Sequence, residues 1–135
     1  MALIEWNGNL SLGIGSIDKQ HQKLVELINE LNAAMLEGKG KDALSRIING
    51  LTDYTKTHFA TEEKYFQQFG YPEAAGHKAQ HDHFTSKVLE FKGEFEQARL
   101  GLSVKVMQFL SGWLQDHIKG SDKKYAPFLI ERGVK

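Results

Sequence analysis

The sequence predicts an all-α fold: an up-down-up-down four-helix bundle behind an irregular N-terminal arm. Three observations lead there. Four stretches carry apolar residues at the i, i+3, i+4 spacing of an amphipathic helix, and glycine-bearing breaks separate them. No stretch alternates with period two for long enough to suggest a sheet. At 135 residues the chain fits a single domain, with an arm over 1–17, a bundle over about 18–120 and a tail over 121–135.

The arm is rich in Gly, Asn and Ser, and its Trp6 is expected to pack on the bundle. Ser16 or Asp18 is suited to cap the first helix, because a short side-chain oxygen can accept from the free N–H groups of a first turn. That helix should run to about Glu37 with Leu24, Leu27, Ile28, Leu31 and Met35 as its apolar stripe, ending at Gly38-Lys39-Gly40. The second spans about Asp42 to Phe69, with Leu44, Ile47, Ile48, Leu51, Thr55, His58, Glu62 and Phe66 inward; Gly70 and Pro72 stop it. The third starts near Glu73 and presents His77, His81, Phe84, Val88, Phe91 and Phe95 before Gly101. The fourth starts near Ser103, with Val106, Leu110, Trp113, Leu114 and His117 on one face. The segment Tyr125 to Leu129 is expected to fold back on the bundle, since Pro127 argues against a continuing helix.

Composition narrows the function. Lys+Arg and Asp+Glu number 17 each, so the basic excess usual in a nucleic-acid binder is missing. With no cysteine, disulfides, thiolate zinc sites, Fe–S clusters and Cys-ligated haem are excluded. A metal would have to sit on nitrogen and oxygen. The first residues lack a basic start followed by a long apolar stretch, and no apolar run nears the ~20 residues of a membrane helix. A cytoplasmic protein with no nucleic-acid or membrane partner is the expectation.

Five of the six histidines, His21, His58, His77, His81 and His117, fall on the inward stripes, and every helix contributes at least one. A lone inward histidine is usually a satisfied core residue; five together are not. His77 and His81 lie four apart, as do His58 and Glu62, so each pair projects from one helical face a turn apart. His117 and Asp122 lie five apart, a step that lands about 140° round an ideal helix. Asp122 can join the others only if the helix is distorted or ends near Gly120; otherwise it is a surface carboxylate among Lys119, Lys123 and Lys124. Glu62 falls on the buried stripe, where an unpartnered carboxylate is costly, and its neighbour Glu63 reads as solvated. Seven inward N/O donors exceed what one ion takes and suit two. His77, His81 and His117 would hold one ion and His21 and His58 the other, with Glu62 and Asp122 between them. Imidazole and carboxylate together suit iron, manganese and zinc alike. His83, two residues from His81, should face outward.

The set His21, His58-x-x-x-Glu62, His77-x-x-x-His81 and His117-x-x-x-x-Asp122 resembles the hemerythrin family, in its bacterial branch, and the likeness runs from Trp6 to about Tyr125. The resemblance implies a non-haem centre of two iron ions with an oxo or hydroxo bridge, taking up dioxygen at an open position on the iron held by His21 and His58. It also implies that Phe59, Trp113 and Ile118 line an apolar oxygen pocket, although each suits a plain core role equally well.

The function expected is reversible dioxygen binding for storage, transport or delivery, with a separate oxygen-accepting protein as a possible partner. The alternatives are a di-iron enzyme acting on O2 or peroxide, and an oxygen or iron sensor working through another protein. The ferritin-like di-iron enzymes carry Glu-x-x-His motifs, and no glutamate here has a histidine three residues on. A non-enzymatic role is therefore expected.

Overall fold

The computed structural model describes Trp6, residues 10–97 and residues 101–134. Residues 1–5 and 7–9 of the expected arm, and residues 98–100 before Gly101, lie outside that range. The fold is a bundle of four helical rods, with no strand among the described residues. Rod α1 is Gly15–Leu36. Rod α2 joins Gly40–Tyr54 and Ala60–Phe69 through a π-helical turn, Thr55–Phe59. Rod α3 is Ala74–Glu96. Rod α4 joins Leu102–Trp113 and Lys123–Glu131 through a longer π-helical stretch, Leu114–Asp122. Rods α1 and α3 each pack on both α2 and α4.

The breaks form where glycine permits them. Gly70 adopts φ 69°, a left-handed conformation that spares only a residue without Cβ, and both its N–H and that of Tyr71 bond back to the Phe66 carbonyl. Gly38 ends α1 in the same way at φ 72°.

Two expectations about the ends are corrected. Neither Ser16 nor Asp18 caps α1, which begins at Gly15 behind Ile14 with no side-chain cap. Asp18 sits in the first turn and instead ties down the arm, accepting from Leu12 N–H at 2.8 Å and Ser11 Oγ at 2.7 Å. The segment Tyr125 to Leu129 does not fold back: α4 carries on to Glu131 with Pro127 inside it. Proline lacks the N–H that an interior helical bond needs. Here it follows closely on the change from π to α register, and the buried Tyr125, Ala126 and Leu129 hold the rod in place. The arm, in turn, joins the core, with Leu10, Leu12 and Ile14 buried and Trp6 packed against the cluster that holds Leu10.

The interior has two apolar clusters. The larger includes Leu24, Tyr54, Phe59, Phe84, Trp113 and Ile118; the smaller includes Ile14, Ile17, Phe66, Tyr71, Tyr125 and Leu129. Along the rods both buried carboxylates and three of the buried histidines fall between these clusters, as in Ile17, His21, Leu24 on α1 and Phe59, Glu62, Phe66 on α2, while His58 and His117 sit at the edge of the larger one. The bundle thus encloses one polar layer between two dry ones.

Candidate metal centre

All seven donors expected from the sequence come together in that layer, and none is more than 4% exposed. Glu62 Oε1 lies 3.2 Å from His58 Nε2, 2.9 Å from His81 Nε2 and 3.6 Å from His77 Nε2. Asp122 Oδ1 lies 2.8 Å from His77 Nε2 and 3.0 Å from His117 Nε2, while its Oδ2 lies 3.0 Å from His21 Nε2. Each carboxylate therefore reaches imidazoles of both expected groups. Two sets have ligand atoms all within 4.8 Å of one another: Glu62, His77, His81, His117 and His21, His58, Glu62, Asp122.

The awkward five-residue step resolves through the π stretch. Its i→i+5 bonding widens the turn, so His117 and Asp122 share a face as an α-helical i, i+4 pair would. The distortion is spread over Leu114–Asp122 rather than confined to Gly120. The turn at Thr55–Phe59, which bears His58, was not anticipated, because His58 and Glu62 already have α-helical spacing.

Packing alone does not satisfy the donor atoms. Nε2 of His77, His81 and His117, Glu62 Oε1 and both Asp122 oxygens are buried without a hydrogen bond, although nitrogen and oxygen approach to about 3 Å. The lone pairs converge on common points instead of pairing with one another. Each unsatisfied buried group costs about 1–3 kcal/mol, and six together are not sustained by a fold without compensation. Cations on nitrogen and oxygen ligands supply it, so the residues fit a metal centre on chemical grounds.

The protonation pattern agrees. Burial alone would raise the Glu62 carboxyl, but the imidazoles of His58, His77 and His81 hold it well below the usual carboxylate range. Burial and the Glu62 charge would raise Asp122, and His117, His21 and His77 outweigh them. Burial lowers His77, but Asp122 and Glu62 more than offset that and lift it to about 9. His117 is lowered, chiefly by burial. The layer is an anionic pocket lined by imidazole, ready to exchange a proton for a metal ion.

Several neighbours hold the donors in place, and sequence reasoning had not singled them out. Gln20 Oε1 lies 2.7 Å from His58 Nδ1, and Gln80 Oε1 lies 2.5 Å from His117 Nδ1. Glu63, expected to be solvated, is half-buried and lies 3.0 Å from His81 Nδ1. Each flanks a donor on its own rod and fixes the far nitrogen of an imidazole on the next. The signal was present, since all three adjoin a donor in sequence, but a helical wheel turns them away from it. The Tyr125 hydroxyl donates to Glu62 Oε2. His83 is exposed as expected, its ring 6.2 Å from that of Phe109.

Phe59, Trp113 and Ile118 are buried on the side of the larger cluster. Phe59 stacks on His81 at 3.9 Å with its ring 5.8 Å from His58, and Trp113 stacks on His117 at 3.9 Å. Tyr54 stacks on His58 at 4.9 Å. Flat apolar faces thus shield three of the imidazoles from water.

Comparison with known proteins agrees with this geometry. Residues 12–129 match the sequence model of the family described as hemerythrin HHE cation binding domain. A bacteriohemerythrin of Stenotrophomonas maltophilia (strain R551-3) is 39% identical over 126 residues, covering 93% of this chain and 81% of that protein. One from Methylococcus capsulatus (strain Bath) is 29% identical over 130 residues, covering 96% and 98%. A crystal structure of wild-type hemerythrin superposes with a TM-score of 0.82 at 28% identity, covering 93% of this chain and 97% of that one. With the bundle, the donor layer and the sequence all in agreement, the chain belongs to the hemerythrin family.

Proposed function

We propose that the protein binds dioxygen reversibly at two non-haem iron ions, for storage, transport or delivery rather than for catalysis. The observation that carries this reading is the donor set: five buried imidazoles against only two carboxylates, with the Nε2 lone pairs of three imidazoles and oxygens of both carboxylates left unpaired between two apolar clusters. His77, His81 and His117 would hold one ion, His21 and His58 the other, and Glu62 and Asp122 would bridge them, with an oxo or hydroxo bridge completing the pair. Bound iron would supply the electrons that dioxygen takes up on binding and returns on release.

The chain's own residues favour binding over turnover. Gln20, Gln80 and Glu63 fix the far nitrogens of three imidazoles, which holds ring orientation and donor strength constant. Phe59, Trp113 and Ile118 would form the dry wall of the oxygen pocket and slow the arrival of protons and water. Tyr54 and Tyr125, pushed above their ordinary value first by burial and then by the carboxylates, stay protonated at neutral pH. An imidazole-rich shell is also a poor match for high-valent oxygen activation, which anionic ligands support.

The test is to load the protein anaerobically with ferrous iron, admit O2 and then purge. Visible absorption that grows and fades over repeated cycles supports a carrier. Oxidation that is irreversible within seconds, or catalytic loss of added peroxide, overturns it.

A further inference from the structure

The two halves of the bundle share one plan, and one departure from it lies beside the metal centre. On α1 and α3, residues 60 apart occupy equivalent buried positions: His21 and His81, Leu24 and Phe84, Ile28 and Val88, Leu31 and Phe91. On α2 and α4 the offset is 59 for Leu51 and Leu110, Tyr54 and Trp113, and His58 and His117. It becomes 60 for Glu62 and Asp122, and the added residue falls inside the π stretch Leu114–Asp122. The contacts repeat as well. Gln20 meets His58 as Gln80 meets His117. Tyr54 stacks on His58 as Trp113 stacks on His117. Glu62 meets His58 and His81; Asp122 meets His117 and His21.

The plan breaks at His77. It lies one turn before His81, and its Nε2 approaches Asp122 to 2.8 Å. Its counterpart, one turn before His21, is Ile17, which is 0% exposed. Ile17 belongs to the cluster containing Phe66 and Tyr125, whose rings lie 5.0 Å and 5.4 Å from His77. Where the repeat would bring an imidazole towards Glu62, there is instead an aliphatic side chain, and the second oxygen of Glu62 takes the Tyr125 hydroxyl. Tyr65, the counterpart of Tyr125, pairs with Ser16.

We propose that Ile17 sets the open position of the centre: an aliphatic residue at this single site withholds the sixth imidazole from the His21/His58 side. The inference rests on the two-iron reading. A histidine at 17 would approach Glu62 as His77 approaches Asp122 and would fill the place left for an external ligand. The two ions would then be equivalently and fully clothed in protein nitrogen.

The test uses the full chain, iron-loaded and oxidised, with azide as a probe of the open position. Iron per chain is measured alongside azide affinity, read from the absorption that azide induces. Wild type is expected to hold two irons and bind one azide. Ile17→His should keep two irons but bind azide at least about tenfold more weakly, because a tethered imidazole competes at an effective concentration of millimolar or more. Ile17→Leu should stay within about threefold of wild type, as an aliphatic replacement of similar volume. Unchanged azide affinity in a two-iron Ile17→His protein overturns the proposal and leaves the two-iron reading standing. Fewer than two irons in wild type overturns both. Should Ile17→His not fold, Ile17→Ala with free imidazole decides: imidazole should compete with azide there and not in wild type, and equal sensitivity in the two overturns the proposal.

Discussion

Replacing Glu62 with alanine probes the centre at its most connected side chain. One oxygen lies within 2.9–3.6 Å of three imidazole nitrogens on two rods, and the other takes the Tyr125 hydroxyl. The variant loses a carboxylate shared by both ion positions and strands a buried phenol. The stranded hydroxyl costs the metal-free protein about 1–3 kcal/mol. Set against that is relief from burying a carboxylate, so metal-free stability should fall by no more than a few kcal/mol. Metal binding should suffer far more. Loss of a group that merely orients a ligand weakens a metal site about 10–100-fold, and loss of a bridging ligand should exceed the top of that range, or about 2.7 kcal/mol. The assay is anaerobic Fe(II) titration, with iron per chain measured after gel filtration. Glu63→Ala is the control: it removes only the partner of His81 Nδ1 and should stay within about 100-fold of wild type. Two irons held at wild-type affinity by Glu62→Ala would refute the assignment.

Other outcomes follow from the same geometry. In the metal-free protein, His77 is raised to about 9, so its contribution to stability is complete below about pH 6.5 and is lost as pH climbs through 9. Glu62, Asp122 and His117 are all lowered, so their contributions fade on the acid side; urea unfolding across pH should show metal-free stability greatest near neutrality. Iron loading should remove the alkaline loss, because a ligating imidazole is neutral; an unchanged alkaline slope would exclude His77 as a ligand. Gln80→Ala should weaken metal binding about 10–100-fold through His117 alone, measured by competition with a chelator, and wild-type affinity would show that the 2.5 Å contact does not orient the ring. His83→Ala should leave iron content and the visible spectrum unchanged, since that ring is exposed and belongs to neither donor set.

Much of this was legible in the residues, unevenly and for physical reasons. The pairs His58/Glu62 and His77/His81 follow from helical period, because a four-residue step fixes a shared face whatever surrounds it. His21 was legible from its place on an apolar stripe. Asp122 was not legible from spacing, because a π stretch depends on tertiary packing that no local propensity announces. Its place came from resemblance, and the widened turn now explains it. The fourth rod was misjudged at Pro127 for the same reason: the change of register just before it altered what proline disrupts. The roles of Gln20, Gln80 and Glu63 were hidden because each serves a neighbouring rod, and a single-helix reading records only which way a residue points on its own. The repeat relating the halves is faint in the sequence because it survives in buried positions and contacts while the exposed residues differ.

The central claim is that seven side chains from four rods hold two iron ions side by side. X-ray absorption at the iron edge, on protein loaded with a measured amount of iron, tests it most directly. The account predicts two irons per chain, a first shell of nitrogen and oxygen only, and a second iron within about 4 Å of the first. One metal ion per chain, or two without an iron neighbour at that distance, would contradict it.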